Sequence, residues 1–111
     1  MQSQSGSTPE NEVQTVELER VTIVAESVLE SRLITLIRQV GARGWTLTEV
    51  RGEGSRGVRA SEWEGNVKIE TLVPKAIADR LLAALARDYF PLYAVVAYAD
   101  RVRVVRGEKY S

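Results

Sequence analysis

Neither cysteine nor histidine occurs anywhere in the 111 residues. The first absence excludes disulfides, thiol redox switches and thiolate metal sites. The second excludes Ser-His and Cys-His catalysis and imidazole metal centres. Excess charge of either sign is also missing, with 15 basic residues against 15 acidic ones. No global field therefore favours nucleic acid or an acidic membrane. No apolar run approaches the ~20 residues that span a bilayer, and the polar amino terminus has no signal-peptide core. These features indicate a soluble protein of the cytoplasm. Met1 to Glu12 carries no apolar residue after Met1. A disordered tail is expected over residues 1–15, followed by one domain over residues 16–111.

A hydrophobic content of 44% allows that domain a real core. Val21, Ile23 and Ala25 alternate with Thr22 and Val24 as in a buried strand. Ser27 and Glu30 have capping-box spacing. Leu29, Leu33, Leu36, Ile37 and Val40 then follow a helical period to a stop at Gly41 and Gly44. Trp45 to Arg51 reads as a second strand and Asn66 to Val73 as a third, with a loop over 52–65 between them. Pro74 suits the first turn of a second helix, whose apolar face is Ile77, Ala78, Leu81, Leu82 and Leu85. Tyr89, Phe90 and Pro91 end it, the two aromatics being assigned to the core. Tyr93 to Ala99 is a fourth strand, and Val102 to Val105 a short fifth strand or an edge extension. The order predicts an α+β, ferredoxin-like βαββαβ fold with an antiparallel sheet and both helices on one face. Val24, Val50, Leu72 and Val96 make the other face unusually apolar. Oligomerisation is the expected cover for it.

The loop carries the chemistry. It begins Gly52-Glu53-Gly54-Ser55-Arg56-Gly57-Val58-Arg59. Glycines let backbone N–H groups turn toward an anion, and arginine adds a forked pair of donors. Arg56 and Arg59 are spaced to hold one phosphate if the loop curls, or to pair with Glu62 and Glu64 in solvent. Gly52, Gly54 and Ser55 add N–H groups and a hydroxyl, or are simple turn residues; Gly57 supplies flexibility. RNA-recognition domains share the topology but stack bases on aromatics of the central strands. The third strand here has none.

Several stretches together are more specific: Val21 to Glu26, Gly41 to Thr46, Gly52 to Ser61 with its Gly-Ser-Arg-x-Val-Arg core at Gly54 to Arg59, Asn66 to Glu70, and Asp88-Tyr89-Phe90 with Tyr93-Ala94. From about Arg20 to Arg106 the chain resembles cyanobacterial PII-like signalling proteins of the SbtB type, which partner the SbtA bicarbonate transporter. The resemblance implies a homotrimer with adenine nucleotides (cyclic AMP, AMP, ADP or ATP) in the clefts between subunits. It implies that the loop over about 52–65 is the mobile T-loop. It also implies control of a sodium-dependent bicarbonate transporter in a carbon-concentrating mechanism, with the trimer docked peripherally on the cytoplasmic membrane. No nucleic acid and no membrane insertion are implied.

Carried over residue by residue, the loop set Gly52, Gly54, Ser55, Arg56 and Arg59 holds phosphate. Tyr98, Ala99 and Asp100 close the cleft beneath base and sugar. Arg101 and Arg103 reach phosphate from the same or a neighbouring chain, or are charges that guard an edge strand. Arg56, Val58 and Trp63 face the transporter, with Trp63 as anchor or folded back onto its own trimer. Trp45 reads as packing. Three departures stand out. The chain ends at Lys109-Tyr110-Ser111 without the two-cysteine loop of some relatives, and the T-loop is shorter. Glu53 stands where relatives often carry lysine, which favours Mg or Ca beside ATP. A slow ATP or ADP diphosphohydrolase in the same cleft is the alternative, with Glu53 or Asp100 holding metal or water.

Overall fold

Residues 13–51 and 65–106 are described by the structure, a computed structural model. Strand β1 runs Thr15–Glu26 and passes through a 3-10 turn, Ser27–Leu29, into helix α1, Glu30–Gln39. Strands β2 (Thr46–Val50) and β3 (Asn66–Val73) follow, then helix α2 (Lys75–Asp88) and strand β4 (Val96–Val105). The sheet order is β2-β3-β1-β4, antiparallel throughout, which is the ferredoxin-like arrangement. The expected fifth strand is the far half of β4. Tyr93 to Val95 belong instead to a turn in which the Tyr93 and Val95 N–H groups donate to the Tyr89 and Tyr93 carbonyls.

One face of the sheet carries Val21, Ile23, Ala25, Val67, Ile69 and Val73, packed against Leu33 and Ile37 of α1 and Leu81 and Leu85 of α2. Thr71 shares this buried face and donates its hydroxyl to the Gly44 carbonyl at 2.7 Å. Trp45 packs at the margin of the core with the Arg38 guanidinium stacked 4.6 Å from its ring centroid, as its packing role requires. Helix α1 ends in the predicted place because Gly41 adopts φ 105°, a conformation that costs an L side chain dearly. A Cβ there would also lie 3.3 Å from Ile77 Cδ1 on α2. Gly41→Ala should therefore destabilise the fold by roughly 1–2 kcal/mol, read as a lowered midpoint in urea.

Three local expectations need correction. Ser27 and Glu30 form no capping box. The cap position of α1 is Leu29, without a side-chain bond, and the Ser27 hydroxyl is committed to the Gly65 carbonyl at 2.7 Å. Pro74 is the cap of α2, one position before its first turn, and its carbonyl accepts from Ile77 and Ala78. Phe90 is not core: it is 43% exposed, because it leaves the helix after Tyr89 has taken the inward position.

Strand β1 is longer than the alternation at Val21 to Ala25 suggests. It starts at Thr15, within the segment expected to be tail. Past the end of β3, which stops where Val73 meets Glu19, β1 pairs with β4 alone, from Thr15↔Val105 to Leu18↔Val102. This two-stranded ribbon turns Val16, Leu18, Val102 and Val104 to one side and Glu17, Glu19, Arg101 and Arg103 to the other. The apolar side is continuous with the open face of the sheet, where Val96 is 47% and Tyr98 52% exposed beside Thr22 and Val24.

Candidate functional site

The segment between β2 and β3 leaves the sheet at one end. Val50 and Asn66 pair there, and Asn66 also faces Glu26 of β1. Ser27 grips the carbonyl of Gly65 twice, through its hydroxyl at 2.7 Å and its backbone N–H at 2.9 Å. The base of the loop is thereby tied to the turn that starts α1. A cleft of about 470 Å³ opens at this base, lined by Ser27, Glu49, Val50, Arg51, Gly65 and Asn66. Asn66 is buried, and its Oδ1 has no hydrogen-bond partner among the described residues. Gly52, Glu53, Gly54, Ser55, Arg56, Val58, Arg59 and Trp63 lie outside the described residues. Among the described residues, no cluster of acidic side chains is arranged to hold a metal ion.

The second predicted set, Tyr98 to Arg103, lies along β4. The structure divides it between the two faces. Tyr98 and Asp100 stand on the open face, opposite Thr22 and Arg20; Ala99, Arg101 and Arg103 stand on the other, opposite Val21, Glu19 and Glu17. The Ala99 side chain packs against the core, so only its backbone is free for a ligand. The set also lies away from the base of the loop in its own chain. Asp100 is level with Arg20 and Leu72, and Leu72 is six residues along β3 from Asn66. At the usual rise of a strand that is about 20 Å. Arg101 and Arg103 lie further still.

Asp100 already has a partner. Arg20 donates to it from Nε at 3.1 Å and from Nη2 at 2.8 Å, a two-point pair across the β1–β4 ladder. These hydrogen bonds hold the Asp100 carboxyl below the ordinary aspartate value, and those to Asp100 raise the Arg20 guanidinium. A depressed carboxyl stabilises the fold above its unfolded pKa. That contribution disappears as pH falls through the folded value. Both groups are solvent-exposed, so the effect on stability is small. In a carboxyl-detected NMR titration, Asp100 should titrate below a normal aspartate and move back up in Arg20→Gln. Arg20 itself gives no signal in the sequence, because its role is visible only once the strand register places it opposite Asp100.

A family model described as nitrogen regulatory protein P-II matches residues 18–109, which take in both helices and all of the sheet but the first three residues of β1. The chain belongs to the PII-like signalling proteins. A protein from Thermus thermophilus, described as PII-like and signalling, is 52% identical, with a TM-score of 0.80 over 89% of this chain and 100% of its own. CPII from Thiomonas intermedia, in a structure bound to ADP and bicarbonate, gives a TM-score of 0.80 over 90% of this chain and 100% of its own at 20% identity. GlnK of B. subtilis, in complex with ATP, gives 0.57 at 16% identity over 78% of this chain and 82% of its own. The last two establish likeness of fold. PII-like proteins are in general signalling proteins rather than enzymes, and no helix among the described residues is long and apolar enough to cross a membrane.

Proposed function

We propose that this PII-like protein is a homotrimeric sensor of adenine nucleotides. Each binding cleft is formed by the loop of one copy and the β1–β4 ribbon of the next. One observation carries the reading: the base of the loop at Asn66 lies about 20 Å along the sheet from Asp100 of the ribbon in the same protomer, and the two segments carry complementary parts of a phosphate site. The loop brings glycine backbone, Ser55, Arg56 and Arg59; the ribbon brings Arg101 and Arg103. A neighbouring copy packed through the apolar open face supplies the missing half. The CPII structures with ADP, AMP and bicarbonate and the GlnK complex with ATP support adenine nucleotides as the ligand class.

In this reading the loop over residues 52–65 is the effector surface, and its target is a sodium-dependent bicarbonate transporter on the cytoplasmic side of the membrane. Nucleotide phosphates order the loop through contacts that the free loop lacks, which is how binding shifts its population. Trp63, Arg56 and Val58 meet the transporter. Glu53 makes ATP depend on Mg or Ca, since an acid beside a polyphosphate repels it until a cation bridges the two. Calorimetric titration with cyclic AMP, AMP, ADP and ATP, with and without EDTA, tests the sensor. Arg59→Ala should weaken binding by about 1.5–3 kcal/mol, the scale of a hydrogen bond to a charged group. Unchanged affinity in Arg59→Ala and in the double variant with Arg56→Ala would remove the loop from the site. Retention of Trp63→Ala by the transporter in every nucleotide state would remove Trp63 from the docking surface.

A further inference from the structure

Both arginines of the ribbon have a carboxylate directly across from them. Glu19 is the register partner of Arg101, and Glu17 of Arg103. Opposed residues of an antiparallel pair have Cβ atoms about 4.5–5.5 Å apart and project to the same face. Neither pair closes into an ion pair. Among the described residues, the bridges are Arg20–Asp100, Lys75–Asp79 and Arg87–Asp88. At the start of α2, Lys75 lies within electrostatic reach of both Glu19 and Arg101. Any phosphate that reaches Arg101 or Arg103 therefore also meets Glu19 or Glu17 on the same face of the ribbon.

We propose that Glu17 and Glu19 set the charge selectivity of the nucleotide cleft, holding down its affinity for polyphosphates relative to cyclic AMP. This rests on the sensor reading above, in which the two arginines receive phosphate. Attraction to the guanidinium groups and repulsion by the carboxylates both grow with each negative charge on the ligand, so what the carboxylates subtract from binding is largest for the most highly charged ligand. Cyclic AMP carries a single charge and feels the balance least; ATP feels it most. The carboxylates thus let a weakly charged signal compete with a strongly charged one that a bare arginine pair would prefer. Opposite charges across a ladder also brace the two strands, and the test must separate bracing from selectivity.

Glu17→Gln with Glu19→Gln, in the full chain, is titrated calorimetrically with cyclic AMP, AMP, ADP and ATP. Selectivity predicts that ATP affinity rises roughly threefold to tenfold, on the scale of exposed charge pairs. ADP should rise less and cyclic AMP should not change. The gain should shrink at high salt, where screening removes the repulsion. An ATP to cyclic AMP affinity ratio equal to wild type overturns the proposal. So does a uniform loss of all four affinities together with a lower Tm, the signature of bracing alone. If the double variant does not fold, Glu19→Gln is measured in its place against the same ratio. Wild-type protein that binds none of the four nucleotides removes the sensor reading itself. Binding with an unmoved ratio removes only the role given to the two glutamates.

Discussion

Ile23→Ala is expected to lower the unfolding free energy by about 2–5 kcal/mol, the usual loss for a buried large-to-small replacement. Ile23 is fully buried in β1, between Ile69 of β3 and Ala97 of β4. Both neighbouring strands hold β1 by continuous ladders, so its backbone cannot move in to fill the space left behind. The side chain of Ala97 is already minimal and cannot expand into the void. A small domain has a total stability of only about 5–15 kcal/mol, so the variant should sit close to its limit. Urea denaturation followed by circular dichroism reads the effect, with Val28→Ala as control, since Val28 is 62% exposed. Both proteins need the same chain concentration, because association adds to apparent stability. A loss below about 1 kcal/mol, under the usual range for such a replacement, or one equal to that of Val28→Ala, would show that the sheet is less tightly clamped than its ladders imply.

The second large effect is expected from charge on the open face. Val96 and Tyr98 leave about half of their surface uncovered in the protomer, and both project from that face of β4. Val96→Asp combined with Tyr98→Asp should leave the helix side of the sheet untouched and retain the circular dichroism of the fold. Two carboxylates buried in an interface without partners are far more costly than two left in water. If the proposed trimer forms through this face, light scattering should show it fall to single chains. Nucleotide affinity should fall with it, because each cleft loses the half that the neighbour provides. A variant that keeps both trimer mass and affinity would place the interface elsewhere. One that dissociates yet binds nucleotide as before would show that a single copy holds the whole site.

Much of this architecture is legible in the residues alone. The helical spacing of Leu33, Ile37 and Val40, the positive-φ stop at Gly41 and the alternation through Val67, Ile69 and Thr71 each satisfy one local rule, and together they leave the ferredoxin-like order. The first half of β1 is hidden by a change of parity. Its apolar residues are even-numbered at Val16 and Leu18, whereas those that meet the helices are odd-numbered, at Val21, Ile23 and Ala25. The helix layer stops near Glu19, so apolar side chains before it turn to the opposite face; no fixed period carries through the switch. Ser27 and Glu30 mislead for a different reason. Their spacing suits a cap, but a long-range acceptor, Gly65, competes for the hydroxyl and wins. The site is legible in part. The glycines and arginines of the loop suggest an anion site but lie outside the described residues, and Arg20 opposite Asp100 and Glu19 opposite Arg101 depend on a register between residues some 80 positions apart, which composition and spacing do not encode.

The ladder contact between Val50 and Asn66, with Ser27 fastened to Gly65, fixes where the loop begins and ends whatever lies between. The entropy of closing a flexible segment whose ends are already held together grows slowly, by about 0.6 kcal/mol for each doubling of its length. Insertions there are therefore cheap to the fold, and the core has no means of selecting against them. The same scaffold can acquire a longer or differently worded loop without repacking a single buried side chain. That makes the 52–65 segment an exchangeable cartridge, a natural point at which to graft a reporter or a new recognition sequence.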